Sequence, residues 1–236
     1  MIRIPMHTIL VPGLLCSPRL YEPVLPALWH HGPVTIADTR RDDGLPAMAE
    51  RILASVSGPF ALAGVSMGGY VALEVVRQAP ERVRALALLS TSARPDTPEQ
   101  TAARRQQVEL ARDGGFDDVV AAAFPRIVDR ANADDERLRS ICRAMADEVG
   151  PDAFARQQEA IVSRPDSRPL LATIACPTLV VHGTGDGLID PENGRELAAG
   201  IPRSHLELLD RCGHSPTLER PEATAAALAA LLAAQT

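Results

Sequence analysis

Short, almost unbroken apolar runs alternate with helical patterns through the first ninety residues, and this alternation restricts the chain to a parallel-type sheet. The runs are Thr8–Val11, 34–37, 60–63 and 85–90. A strand that is apolar along its whole length must be covered on both faces, as strands are in a parallel sheet between two layers of helices. Helix candidates lie between the runs at 18–30, 45–57 and 69–78. The second places Leu45, Met48, Ile52 and Val56 at helical spacing. Parallel neighbours need crossovers long enough to hold a helix, and those crossovers are right-handed.

The alternation stops after Ser92. From 94 to 168 no strand pattern is evident. Helical stretches there are separated by Gly114-Gly115, Pro125, Gly150-Pro151 and Pro165. The clearest, 135–149, puts Leu138, Ile141, Cys142, Met145 and Val149 on one face. Strand patterns resume at 178–181 and 205–209, with helices expected at 192–199 and 222–234. The reading is an α/β core, 1–93 and 169–236, with a mostly parallel central sheet of about six strands flanked by helices. A helical cap, 94–168, is inserted in it. Upstream of Thr8 the chain has room for no more than a short edge segment over 1–6.

Composition narrows the function classes. The 236 residues carry a formal charge of −6 with no basic stripe, so no nucleic-acid partner is expected. No apolar run approaches ~18 residues, so no membrane span is expected. Residues 1–5 lead straight into a strand-like run, without the basic, apolar and cleavage regions of a signal peptide. Cys16, Cys142, Cys176 and Cys212 are scattered and form no CxxC pair. They read as reduced thiols of a cytoplasmic protein, with no metal site and no cofactor. Aromatic residues are only 3%, so the core must be aliphatic.

The chemistry begins at Gly64-Val65-Ser66-Met67-Gly68-Gly69, between the run 60–63 and the helix expected from Gly69. A serine held between a strand and a helix sits on a sharp, strained turn. Side chains two positions to either side would collide there, and Gly64 and Gly68 have none. The helix start supplies free N–H groups and a partial positive charge. Ser66 is therefore the candidate nucleophile.

A serine needs a base. Of six histidines, His30 and His31 end a helix, and His7 and His205 lie near strand starts. His182 ends a strand and reads as structural. His214 lies in the loop Asp210-Arg211-Cys212-Gly213-His214-Ser215-Pro216, at the carboxyl end of a strand, where open α/β sheets build their sites. The histidine needs a carboxylate to fix its tautomer. Asp186 lies just past the run 178–181 and is surrounded by Gly183, Gly185 and Gly187. Its rival Asp190 precedes Pro191 and reads as a helix cap. Asp38 and Asp210 also end strands, while Asp42-Asp43, Asp117-Asp118 and Asp134-Asp135 read as solvated.

The order Ser66, Asp186, His214 is that of the α/β-hydrolase template. The chain resembles this superfamily over nearly its whole length. The resemblance is carried by Val11-Pro12-Gly13-Leu14, Gly64-x-Ser66-x-Gly68-Gly69, Pro177 to Gly183 with Asp186, and Gly213-His214 followed by Glu219-x-Pro221-Glu222. It is similar to the esterase and lactonase branch with a helical cap. The resemblance implies an oxyanion hole made by the backbone N–H groups of Leu14 and Met67. It also implies an acyl-enzyme on Ser66 and a small-molecule ester or lactone substrate. The family often has His-Gly where this chain has Pro12-Gly13, so the support of that loop must differ. The alternatives are a carbon–carbon bond hydrolase on the same fold and a non-catalytic small-molecule-binding member. Carbon–carbon hydrolases usually carry a Trp soon after the histidine, whereas Ser215-Pro216-Thr217-Leu218 follows here. A dehalogenase or epoxide hydrolase would need Asp at position 66.

Overall fold

Each apolar run becomes a strand in the computed structural model, which describes residues 5–234. The strands are β1 (Thr8–Val11), β2 (Val34–Ile36), β3 (Phe60–Val65), β4 (Val83–Leu89), β5 (Thr178–Gly183) and β6 (Ser204–Leu209). They form one sheet in the order β2-β1-β3-β4-β5-β6, and every pairing is parallel. Of the edge segment expected over 1–6, residues 1–4 lie outside the described part. Met6 is not in a strand; its N–H donates to His31 O at 3.1 Å.

The strand side chains divide by alternate positions, as the pleat requires. Ile9, Val11, Leu62, Leu86, Leu88 and Val180 face one layer of helices. That layer includes α2 (Leu45–Ser55) and α3 (Met67–Gln78). Leu10, Ala61, Ala63, Ala85, Ala87, Leu179 and Val181 face the other layer. There α1 (Leu25–Trp29) contributes Leu28. The helix expected over 18–30 is thus much shorter. A 3-10 turn, Pro18–Leu20, comes first, and α1 starts only at Leu25. Pro23 has no N–H with which to continue a helical ladder, and Val24 N and Leu25 N both turn back to Tyr21 O, so one helix does not run through.

Between β4 and β5 the chain is helical: α4 (Pro98–Leu110), α5 (Phe116–Ile127) and α6 (Glu136–Val162). α4 opens with a capping box, in which the Thr97 side chain accepts from Gln100 N and the Gln100 side chain accepts from Thr97 N. Pro125 does not separate two helices. It sits within α5, close enough to the end at Ile127 to fall in the last turn. α6 is two halves broken at Gly150, whose φ of 75° no helix accommodates, and Pro151 begins the second half. The Asp135 carboxylate caps the first half by accepting from Leu138 N at 3.0 Å.

The two ends of this excursion meet, Ser167 N donating to Ala93 O at 2.8 Å. The buried Asp96 carboxylate pairs with Arg164 and Arg104, each at 2.7 Å, and the Arg164 guanidinium lies over the Tyr70 ring of α3 at 4.4 Å. After the excursion come α7 (Arg168–Leu171), α8 (Glu192–Gly200), α9 (Pro216–Glu219) and α10 (Pro221–Ala233). Leu171 and Leu197 join the layer of α2 and α3, and Leu228 and Leu232 join that of α1. Among the described residues no helix is long and apolar enough to cross a membrane.

Candidate active site

Because all six strands point the same way, the loops after β1, β3, β5 and β6 open on one edge. Register then decides which residues meet. Val11 of β1 pairs with Gly64 of β3. Two residues on, Gly13 stands beside Ser66, and a Cβ on Gly13 would lie 3.3 Å from Ser66 Cβ. His182 pairs with Leu208 and Gly183 with Leu209. The loops carrying Asp186 and His214 therefore leave the sheet as neighbours.

Ser66 has φ 55° and ψ −118°, a strained setting for a residue with a side chain. Its N–H donates to Leu89 O at 2.9 Å, and its carbonyl accepts the Thr91 hydroxyl at 2.8 Å and Gly69 N at 2.8 Å. The glycines are required by close approach. A Cβ on Gly64 would collide with the Gly68 backbone, and one on Gly68 with the Val11 carbonyl. α3 starts at Met67, two residues earlier than the sequence pattern suggests. The Met67 N–H is thus one of the first-turn donors with no acceptor inside the helix.

His214 and Asp186 are hydrogen-bonded. His214 Nδ1 lies 2.7 Å from Asp186 Oδ2, with the histidine side chain 8% and the carboxylate 0% exposed. A carboxylate accepts only, so Nδ1 carries the hydrogen, and in the neutral ring Nε2 keeps the lone pair that can take a proton. Asp186 Oδ1 accepts Leu188 N at 2.8 Å and Ile189 N at 3.0 Å. Burial opposes its charge, yet the His214 and His182 rings and the Ile189 N–H together hold the carboxyl well below the usual carboxylate range. Asp190 lies outside this arrangement. Its carboxylate is exposed and accepts Glu192 N at 2.9 Å in the turn before α8; the N-cap position itself, expected at Asp190, is taken by Pro191.

Two residues of this network had no such role in the sequence reading. His182 is wholly buried, and its Nε2 lies 3.2 Å from Asp186 Oδ2 and 3.0 Å from Ile189 O. Both neighbours are acceptors, so Nε2 carries the hydrogen, donating to Ile189 O and presenting its positive edge to the Asp186 carboxylate. The strand pattern marks His182 only as the residue that ends the run 178–181; in the structure β5 continues one residue past it. Glu219 is the second. Its Oε1 accepts Gly213 N at 2.9 Å and Ser215 N at 3.3 Å, on either side of His214. Its Oε2 accepts Asp129 N at 2.7 Å and Asn132 Nδ2 at 2.9 Å, from the connection between α5 and α6. Burial pushes the Glu219 carboxyl up, and these donors oppose the shift. His214 N itself donates to Ile127 O at 2.7 Å, so the helical excursion grips the histidine loop directly.

The loop of Pro12 to Cys16 is held differently from a His-Gly loop. The Tyr21 hydroxyl donates to Val11 O at 2.8 Å, Cys16 N donates to Gly13 O at 3.2 Å, and the Cys16 thiol donates to Leu14 O at 3.3 Å. Burial raises the Cys16 thiol to about 12, so it remains a neutral donor. Leu14 and Leu15 pack against an apolar cluster of Ala111, Val119, Phe154, Val108 and Phe116. All four cysteines are unpaired. No group of three or more His, Cys, Asp or Glu side chains that could hold a metal occurs among the described residues.

A sequence profile of the Alpha/beta hydrolase family matches residues 8–227. A pimeloyl-[acyl-carrier protein] methyl ester esterase of Aromatoleum aromaticum is 30% identical over 225 residues, covering 90% of this chain and 87% of the relative. One of Neisseria meningitidis is 30% identical over 220 residues, covering 86% and 83%. Among solved structures, a thermophilic esterase from Thermogutta terrifontis superposes with a TM-score of 0.89 at 27% identity, covering 98% of this chain and 90% of that one. The enol-lactonase from Burkholderia xenovorans LB400 shares the fold, with a TM-score of 0.88 at 23% identity and coverage of 98% and 92%. With the strained serine turn, the parallel sheet and the buried histidine–carboxylate pair in place, the profile match over residues 8–227 means that this chain belongs to the alpha/beta hydrolase family.

Proposed function

We propose that this protein is a serine hydrolase that cleaves a carboxylic ester or lactone through an acyl-enzyme on Ser66. The observation that carries the reading is the 2.7 Å bond between His214 Nδ1 and Asp186, on the sheet edge where Ser66 is held at φ 55°. His214 Nε2 takes the hydroxyl proton as Ser66 Oγ attacks the carbonyl carbon. The N–H groups of Met67 and Leu14 stabilise the oxyanion. His214 then protonates the departing alcohol oxygen, and a water deprotonated by the same ring releases the acid. Asp186 keeps the ring in the correct tautomer throughout.

The substrate is an ester of an aliphatic acyl group. The cluster of Leu14, Leu15, Ala111, Val119 and Phe154 supports this, since it places apolar surface beside the Leu14 N–H. The helices of 94–168 act as the cap that provides most of that surface. The methyl esters named for the relatives belong to this class, and an acyl chain borne on a carrier protein is one form it takes there. Four free thiols accord with a cytoplasmic location.

The test is labelling with a fluorophosphonate, read by intact mass and peptide mapping, beside turnover of methyl and p-nitrophenyl esters and lactones of graded acyl length. Ser66 should be the labelled residue, and Ser66→Ala should lose several orders of magnitude in kcat with the fold retained. Near-normal turnover by a purified Ser66→Ala variant, or label at another residue, would remove the reading. A dienone acid in the same panel tests the carbon–carbon alternative.

A further inference from the structure

We propose that Gln157, in the second half of α6, is a positioning residue that holds the oxyanion loop in its catalytic shape and makes the hole depend on the docked cap. The inference rests on the reading of Leu14 N–H as an oxyanion donor. Gln157 is 0% exposed, an unusual place for an amide on a helix that faces a loop. A buried amide is tolerated only when its polar atoms are paired. Its Oε1 accepts Leu15 N at 3.1 Å, across 142 positions of sequence. Its Nε2 lies 3.2 Å from Thr39 Oγ1 and 3.4 Å from Thr39 O, in the loop after β2. The amide orientation follows from the partners: Leu15 N can only donate and Thr39 O can only accept.

The bond matters because of where Leu15 stands. It is a non-glycine residue at φ 58°, directly after Leu14. Such a backbone persists only when its surroundings hold it. Leu15 N belongs to the same planar peptide as Leu14 C=O, which accepts the Cys16 thiol. Gln157 and Cys16 therefore fix that plane from its two sides. On the other side of Leu14, Gly13 is seated against Val65 O and Ser66 Cβ and accepts Cys16 N. With both flanking segments fixed, the Leu14 N–H has one direction available. Removing the Gln157 acceptor releases one of these restraints and leaves the half-buried Leu15 N without its partner.

The same turn of α6 carries the acyl side of the site. Phe154, three residues before Gln157, shares its helix face and packs with Leu14 and Leu15. Arg156 Nε donates to Arg40 O at 2.9 Å, beside Thr39. Docking of this half-helix therefore forms the apolar wall and aligns the donor in one event.

The experiment compares Gln157→Met and Gln157→Asn with the wild type. Met removes the polar group, and Asn keeps an amide too short to reach Leu15 N. Three readouts are taken: kcat and KM on the best ester of the panel, the affinity of an alkyl trifluoromethyl ketone that forms an oxyanion on Ser66, and Tm. Met and Asn should lose about tenfold or more in kcat. Ketone affinity should fall by a similar factor and KM should change little. The pH profile of both variants should be unchanged because His214 and Asp186 are untouched. Variants that lower Tm but keep kcat and ketone affinity would overturn the proposal and leave Gln157 a structural tie. Should Gln157→Met fail to fold, Gln157→Asn decides the matter by the same readouts. A wild type that neither turns over the panel nor labels at Ser66 is a different failure, that of the catalytic reading, and takes this proposal with it.

Discussion

Asp186 accepts three N–H groups on two oxygens, from the His214 ring and from Leu188 and Ile189, and the His182 ring lies 3.2 Å from Oδ2. A bare carboxylate buried this deeply would cost several kcal/mol, and only donors in good geometry offset that. The arrangement leads to a prediction for Asp186→Asn. An amide facing His214 Nδ1 can donate as well as accept, so the ring can adopt the wrong tautomer, and kcat should fall by roughly 10²- to 10⁴-fold. Asp190→Asn, in an exposed turn before α8, should leave kcat within about twofold. Reversal of the two results would reassign the acid. The pH dependence of stability has a definite sign. The folded carboxyl of Asp186 is lowered relative to about 3.9 in the unfolded chain. Its stabilisation is therefore full above that value and is lost as pH falls toward the folded one. The Tm gap between wild type and Asp186→Asn should accordingly narrow between about pH 6 and pH 3. A gap that stays constant or widens toward acid would contradict it.

The strand-to-helix turn is the element on which the rest depends, and its spacing was readable because sterics there are local. Gly64 and Gly68 face each other across Ser66, and Gly68 also meets the Val11 carbonyl, a backbone atom that cannot rotate away. Gly68→Ala must push β1 from α3. A cost of about 3 kcal/mol or more corresponds to roughly 6–12 °C in Tm for a chain of this size. Gly44 provides the control. A Cβ there would lie 3.7 Å from its nearest neighbour, Pro46 Cδ, an ordinary contact. Gly44→Ala should move Tm by no more than about 2 °C. Equal effects of the two substitutions in thermal melts would show that the turn does not need its glycines. By contrast, the helix expected over 18–30 failed to form, because periodicity there competes with Pro23, and the backbone restriction prevails over a weak propensity.

At the scale of the whole molecule, the excursion between β4 and β5 contacts both halves of the proposed machinery. Its first part holds the histidine loop through Ile127 O, Asp129 N and Asn132, and its last half-helix meets Leu14, Leu15 and Thr39. Two of its apolar residues, alike in the sequence pattern, separate here. Phe154 lies in the cluster beside Leu14, whereas Met145 packs with Leu20, Tyr21, Phe124 and Leu138 in the core beneath. Phe154→Leu should therefore shift the ratio of kcat/KM between long and short acyl esters by about threefold to tenfold. Met145→Leu should leave the ratio unchanged. Identical profiles for both variants would place the acyl site elsewhere. The division between what was legible and what was not follows the range of the forces involved. The βα alternation and the glycine-flanked Ser66 depend on side chains a few residues apart, and Asp186 and His214 each follow a strand run that is itself a local pattern, so the sequence by itself determined the sheet and the edge where these three residues lie. Only the tertiary structure decided that Glu219 would accept Asp129 N across 90 positions and that Gln157 would accept Leu15 N across 142. Those bonds exist because a parallel register and a docked helical insertion bring distant loops within about 3 Å, a distance at which hydrogen bonds form and which no local pattern encodes.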